Sequence, residues 1–224
     1  MTRTANARIA GFTFLIYIAA GITSMVLFRR ASAGPNVSDR LAALAAHASD
    51  AGPLVILGFI QCFSAVVLGV TLFALTRDED QDIATFGLVC RVGEGVIGGL
   101  SIFATLTLFW LAANRGTAGF DASATETLAA YLLRNDVAIP ATFFAVGSAA
   151  FCYLLLRGRM IALPLAWLGV IASALLVVGL PLQLAGWLPG TIGTLIWLPM
   201  LAFEVPLGLL WLIKGSPTPV VAAG

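Results

Sequence analysis

Three ionisable side chains stand inside apolar runs of this 224-residue chain. Arg91 and Glu94 lie in Cys90-Arg91-Val92-Gly93-Glu94-Gly95, and Glu204 lies in Ala202-Phe203-Glu204-Val205-Pro206. An isolated charge at the middle of a bilayer costs about 2.5–3.5 kcal/mol on the insertion scale, so all three need partners. Arg91 and Glu94 are three residues apart and share one side of a helix. Two acids against one arginine leave one negative charge in excess when all are ionised. Taking up a proton or binding a cation relieves that excess, so the chemistry on offer is proton, cation or small-ligand binding. Gln61, near mid-depth in its own apolar run, is a fourth polar candidate, and Gln183 reads as interfacial. A buried Arg–Glu pair can also lock helix register without touching any ligand, and that reading stays open.

The composition says what surrounds these groups. Sixty per cent of residues are hydrophobic and only 10% are charged, with a mean hydropathy of +1.00. A soluble domain would carry roughly a quarter charged residues. Disordered and nucleic-acid-binding classes need polar or basic sequence and are excluded with it. Lys plus Arg is 12 against 11 acids, which points to no anionic macromolecular partner. Cys62, Cys90 and Cys152 sit unpaired in apolar runs, and His47 is the one histidine. Disulfide frameworks, thiolate metal sites, bis-histidine haem and His-based triads are therefore not expected, and no cofactor or metal is implied.

A helix needs about 20 apolar residues to cross about 30 Å of hydrocarbon. Six windows qualify, near Ile9–Phe28, Pro53–Thr76, Ala84–Ala113, Val137–Leu156, Ile161–Gly186 and Leu188–Ile213. The expected fold is all-α: one polytopic transmembrane bundle over residues 1–224, embedded in a lipid bilayer. The first window reads as an uncleaved helix despite Ala31-Ser32-Ala33, because it exceeds a secretory h-region and Arg29 and Arg30 precede that tripeptide. The five tryptophans, at 110, 167, 187, 197 and 211, mostly fall near window ends, as interfacial anchors do.

The connections alternate. Arg29–Gly52 and Asn114–Asp136 are long, whereas Arg77–Ile83 and Arg157–Met160 are short, which places both termini on the face of the short connections. That face carries Arg3, Arg8, Arg77, Arg157, Arg159 and Lys214, and the other carries Arg29, Arg30, Arg40, Arg115 and Arg134. Charge packed into short segments favours a cytoplasmic location, so both termini are expected in the cytoplasm of a cell with the chain in its inner membrane. Ser38–Ser49 and Ser123–Leu133 read as short interfacial helices, the second opened by a Ser123/Glu126 capping box. A lid over a cavity is the sharper reading of that second helix. The acidic run Asp78–Asp82 reads as a solvated loop, and the two halves share no repeat of the inverted-transporter kind.

Depth relates the buried charges. Glu94 and Glu204 are each ten residues from the markers Ala84 and Lys214 at one face, hence about 15 Å in, with Arg91 at about 10 Å. The third and sixth spans are therefore expected to face each other across an Arg91–Glu94–Glu204 cluster. Gly95, Gly98 and Gly99 would allow the close approach.

At these residues the chain resembles the bacterial family catalogued as domain of unknown function 4386, integral membrane proteins of six or seven spans. Ala7-Arg8-Ile9-Ala10-Gly11 with Phe14-Leu15-Ile16 resembles its opening helix, and Cys90 to Val96 its arginine-x-x-glutamate helix. Tyr153 to Arg159, leading to Pro164 and Leu168-Gly169, is similar to its fourth-to-fifth hairpin, and Pro199 to Gly215 to its closing helix. The family often has proline directly before arginine after the fourth span; here the segment runs Arg159-Met160-Ile161-Ala162-Leu163-Pro164. The resemblance implies a fold and a membrane compartment but no chemistry. Three functions follow as expectations. The first is binding or transport of a small ligand, cation or proton at Arg91, Glu94, Glu204 and Gln61, favoured by Pro181, Pro199 and Pro206 as makers of cavities. The second is intramembrane acid–base catalysis on a lipid or isoprenoid, with no catalytic residue assignable. The third is a structural or regulatory membrane partner.

Overall fold

The computed structural model describes residues 2–117, 121–133, 138–188 and 190–215. Among them the chain is helical with no strand. The elements are α1 (Arg3–Ala31), α2 (Val37–Ala46), α3 (Ala51–Thr76), α4 (Gln81–Asn114), α5 (Ala122–Leu133), α6 (Ala138–Arg157), α7 (Leu163–Leu184), α8 (Gly190–Leu195) and α9 (Leu198–Lys214). Six stretches are long and apolar enough to cross a membrane, carried by α1, α3, α4, α6, α7 and α8–α9. The protein is thus a multi-pass membrane protein. Side chains close the helix starts where sequence permits. Thr2 accepts from Ala5 N–H at 3.2 Å, Asn36 from Asp39 N–H at 2.8 Å and Asp80 from Ile83 N–H at 3.1 Å, each satisfying a backbone donor the helix leaves free.

The spans pack as a ring in chain order. α1 lies on α3, α3 on α4, α4 on α6, α6 on α7 and α7 on α9, and α9 returns to α1. Short connections force α3–α4 and α6–α7 to be antiparallel neighbours, the long ones return α1 to α3 and α4 to α6, and the α1–α9 contact closes the ring. That closure depends on glycine. A Cβ at Gly11 would lie 2.6 Å from both the Gly208 carbonyl oxygen and the Leu212 nitrogen, so the two backbones touch there. Inside the ring a continuous core runs through Phe14, Leu68, Leu72, Phe144, Phe151, Leu176, Phe203 and Leu207.

α4 has 34 residues, about 51 Å at 1.5 Å each, well beyond the hydrocarbon thickness. Its last turns are sheathed by the two long connections. Leu108, Phe109, Leu111 and Ala112 pack with Leu41 and Leu44 of α2 and Ala129 of α5 in a second core. Arg115 clasps the two connections together, donating to the Ser38 carbonyl at 2.8 Å and to the Ser38 hydroxyl, and pairing with Glu126 at 3.4 Å. On the opposite face Arg157 pairs with Asp80 at 3.3 Å, and Gly215 sits against Thr4, so the start of α1 and the end of α9 meet there.

Several expectations change. The helix expected over Ser38–Ser49 is α2 followed by a single 3-10 turn at Ala48–Asp50. The capping box at Ser123 does not form: Asp121 accepts from Ser123 N–H at 2.8 Å, and Glu126 is taken by Arg115. The sixth span is interrupted at Ile196-Trp197, between α8 and α9, where Pro199 has no N–H to donate back to Leu195 and stands instead in the first turn of α9. Trp211 is buried against Phe14, and Trp197 packs on Phe144, so neither anchors an interface. The expected Val137 boundary, Asp136 and Arg134 lie outside the described residues.

The ring closure is open to test. Gly11→Ala forces a Cβ onto backbone atoms that cannot rotate away, so the purified protein should lose at least about 1–3 kcal/mol of stability in detergent. Gly52→Ala, with nothing within 4 Å of its new Cβ, should leave the melting temperature unchanged. Thermal unfolding followed by circular dichroism reads both.

Candidate functional site

Arg91 enters the ring through a slot made by two glycines of the neighbouring spans. A Cβ at Gly69 of α3 would lie 2.9 Å from Arg91 Cβ, and one at Gly147 of α6 would lie 3.3 Å from Arg91 Cδ. The Arg91 side chain is 1% exposed. Its Nη1 lies 2.9 Å from Glu94 Oε2, one turn along the same helix. Its central carbon lies 4.9 Å from the Phe144 ring centroid and 5.5 Å from that of Tyr17, two rings stacked 6.2 Å apart. Among the described residues no acceptor stands in hydrogen-bonding line with its N–H groups. The cation is therefore held by charge and by ring faces rather than by a fan of hydrogen bonds.

Glu94, 5% exposed, uses its second oxygen. Tyr17 of α1 donates its hydroxyl to Glu94 Oε1 at 2.6 Å, a length typical of a donor meeting a carboxylate. Glu204 of α9 is equally buried and lies within electrostatic reach of both Arg91 and Glu94. Among the described residues it has no hydrogen-bond or ion-pair partner. It lines a cleft of about 10 Å³ with Ser148 and Cys152 of α6, Phe14 of α1 and Leu72 of α3; neither Arg91 nor Glu94 reaches that cleft.

The structure thus brings Arg91, Glu94 and Glu204 into one interior, but not by the expected route. α4 and α9 stand on opposite sides of the ring and are not packed neighbours; the Tyr17 and Phe144 rings lie over the Arg91 guanidinium. The glycines credited with their approach serve α3 instead. A Cβ at Gly95 would meet the Cys62 carbonyl oxygen at 2.7 Å and one at Gly98 the Cys62 Sγ at 3.1 Å, while Gly99 faces open space. Gln61 does not join the cluster. It is half-buried, faces Gly21, and donates to its own helix at the Leu57 carbonyl, at 3.5 Å.

Tyr17 and Phe144 went unread in the sequence. One signal was available: counted from helix ends at the same face, Tyr17 is fourteen residues in and Glu94 thirteen, both about 20 Å deep. A tyrosine that far from either interface needs a hydroxyl partner. The acidic run, read as a solvated loop, also has structural work, since Asp80 both caps α4 and pairs with Arg157.

A family model described as Domain of unknown function (DUF4386) matches residues 9–215. No curated protein and no solved structure matches the chain.

The pairing predicts an order of damage. Glu94→Gln leaves a buried arginine that cannot shed its charge, and should cost about 3–5 kcal/mol. Arg91→Leu leaves a carboxyl that can be neutralised by a proton, and should cost less. Tyr17→Phe removes one hydrogen bond to a charged group, about 1.5–3 kcal/mol. Detergent stability of the purified variants gives the ranking, and a Glu94→Gln variant as stable as the parent would contradict it.

Proposed function

The chain belongs to the family described as domain of unknown function DUF4386, and on that footing we propose that it binds and passes a proton at Glu204. The setting is a bacterial inner membrane with both termini in the cytoplasm. The observation that carries this reading is the division of labour among the three charges. Arg91 and Glu94 neutralise each other at 2.9 Å, with Tyr17 completing the carboxylate. Glu204 is left as the one buried acid without a partner among the described residues, the excess charge of the cluster in its ionised form. A proton removes that excess without any further ligand.

Volume selects the ligand. The cleft at Glu204 holds about 10 Å³, the scale of one water molecule and far below what an organic substrate fills. Its direction also favours a proton path. Leu72, Leu155 and Leu207 line it between Glu204 and the ends of α3, α6 and α9 at the face where Thr4 and Gly215 meet. Toward the other face Phe203, Met200 and Leu176 close the core. Proton exchange is then fastest from the side of the termini. The arginines crowded into the short connections and chain ends there support its assignment to the cytoplasm.

Proteoliposomes enclosing a pH-sensitive dye test the reading. Under an imposed pH gradient with a potassium diffusion potential, the parent should move protons and Glu204→Gln should abolish the flux. Flux in the parent that survives Glu204→Gln, or no flux under any gradient, contradicts it and leaves the cluster as a lock on helix register.

A further inference from the structure

The cleft at Glu204 is walled by α1, α3, α6 and α9, and its polar lining is short. Besides the carboxyl it holds the Ser148 hydroxyl and the Cys152 thiol, both of α6; its other side chains are apolar. Cys152 turns its thiol to α7. A Cβ at Gly169 would stand 2.9 Å from the Cys152 Sγ, and Ser173 lies within its reach. Ser148 is left to serve the acid.

Its hydroxyl is free to do so. Thr71, Thr76, Thr142 and Ser173 each donate to the carbonyl one turn back in their own helix, at 2.8, 2.8, 2.7 and 2.8 Å. That is a common way to satisfy a hydroxyl within a helix. Ser148 makes no such bond to Phe144, and among the described residues its hydroxyl has no partner.

Depth and volume set Ser148 against Glu204. Ser148 is nine residues from the end of α6 at Arg157, and Glu204 is ten from the end of α9 at Lys214. Both therefore stand about 14–15 Å from the same face. They line one cleft yet make no direct hydrogen bond. The cleft holds about 10 Å³, the room that one water needs, and a buried water needs at least two polar partners. α6 also keeps the two acids apart. Gly147 admits the Arg91 side chain that pairs with Glu94, whereas Ser148, about 100° further round the helix, lines the cleft of Glu204.

We infer that Ser148 is a positioning residue for proton exchange, its hydroxyl holding one water against the Glu204 carboxyl. The inference rests on Glu204 being the exchanging acid. On release, the carboxyl proton passes to that water, leaving a carboxylate and a hydronium. The extra proton then departs past Leu72, Leu155 and Leu207 toward the face where Thr4 and Gly215 meet. Reloading runs the same steps in reverse. Ser148 neither gains nor loses a proton. It accepts from the water while the carboxyl is protonated and donates to it afterwards, because a hydroxyl hydrogen rotates to suit its partner.

Infrared difference spectra of the reconstituted protein across a pH step, recorded in water of the ordinary and of the heavy oxygen isotope, test the role. The parent should show the Glu204 carboxyl band together with one water band that responds to the isotope. Ser148→Ala should keep the carboxyl band but move it to higher wavenumber, remove the water band and leave the melting temperature unchanged. Proton flux in proteoliposomes should fall about tenfold in that variant, the worth of one hydrogen bond to a charged group. A carboxyl band that keeps its position in Ser148→Ala overturns the role of Ser148 and leaves the proton reading of Glu204 standing. A water band that survives the substitution, or a flux equal to the parent's, does the same. Absence of any Glu204 band in the parent overturns both.

Discussion

One buried cation organises the interior of this bundle. Arg91 cannot give up its charge at any physiological pH, so everything around it must be arranged to tolerate a permanent guanidinium away from water. Glycines at 69 and 147 open the slot, Glu94 supplies the countercharge, and two stacked rings supply polarisable faces. Four spans are committed at once. α4 provides the pair, α1 the tyrosine, α3 the glycine slot, and α6 both a glycine and a ring. The hydrophobic effect does not drive helices together within lipid, so packing and polar contacts of this kind decide which helices become neighbours.

The ring is the consequence at larger scale. Its order follows the chain, but its closure does not follow from short loops, because α1 and α9 are distant in sequence. Backbone contact at Gly11 and Gly208 supplies that closure, and it brings Glu204 into the same interior as the Arg91 pair although α4 and α9 are not packed neighbours. The acid then differs from Glu94 in kind. Glu94 is bound on both oxygens, whereas Glu204 looks onto a water-sized cleft. Two chemically identical side chains thus stand in different surroundings.

Much of this was legible in the chain. Apolar length located the six crossings, and the alternation of loop lengths placed the termini together, because both depend only on helix rise and bilayer thickness. Depth arithmetic brought Arg91, Glu94 and Glu204 to one region, since helices count residues reliably. It could not say which helices are adjacent, because depth carries no information about position around a ring. The glycines of α4 were therefore assigned to the wrong neighbour. Tyr17 and Phe144 escaped notice because an aromatic residue in an apolar span is ordinary until its partner is known. The division of the last span at Ile196-Trp197 is written in Pro199, whose missing N–H makes a break in the ladder as well as room for a cavity.

The central claim is that Arg91 fixes Glu94 as its counterion and leaves Glu204 as the exchanging acid. Infrared difference spectroscopy of the reconstituted protein across a pH step observes this directly, since protonated and ionised carboxyl groups absorb separately. The account predicts a buried carboxyl that changes protonation, whose signal disappears in Glu204→Gln and persists in Glu126→Gln. A signal that survives Glu204→Gln but vanishes in Glu94→Gln, or the absence of any buried carboxyl signal, would contradict it.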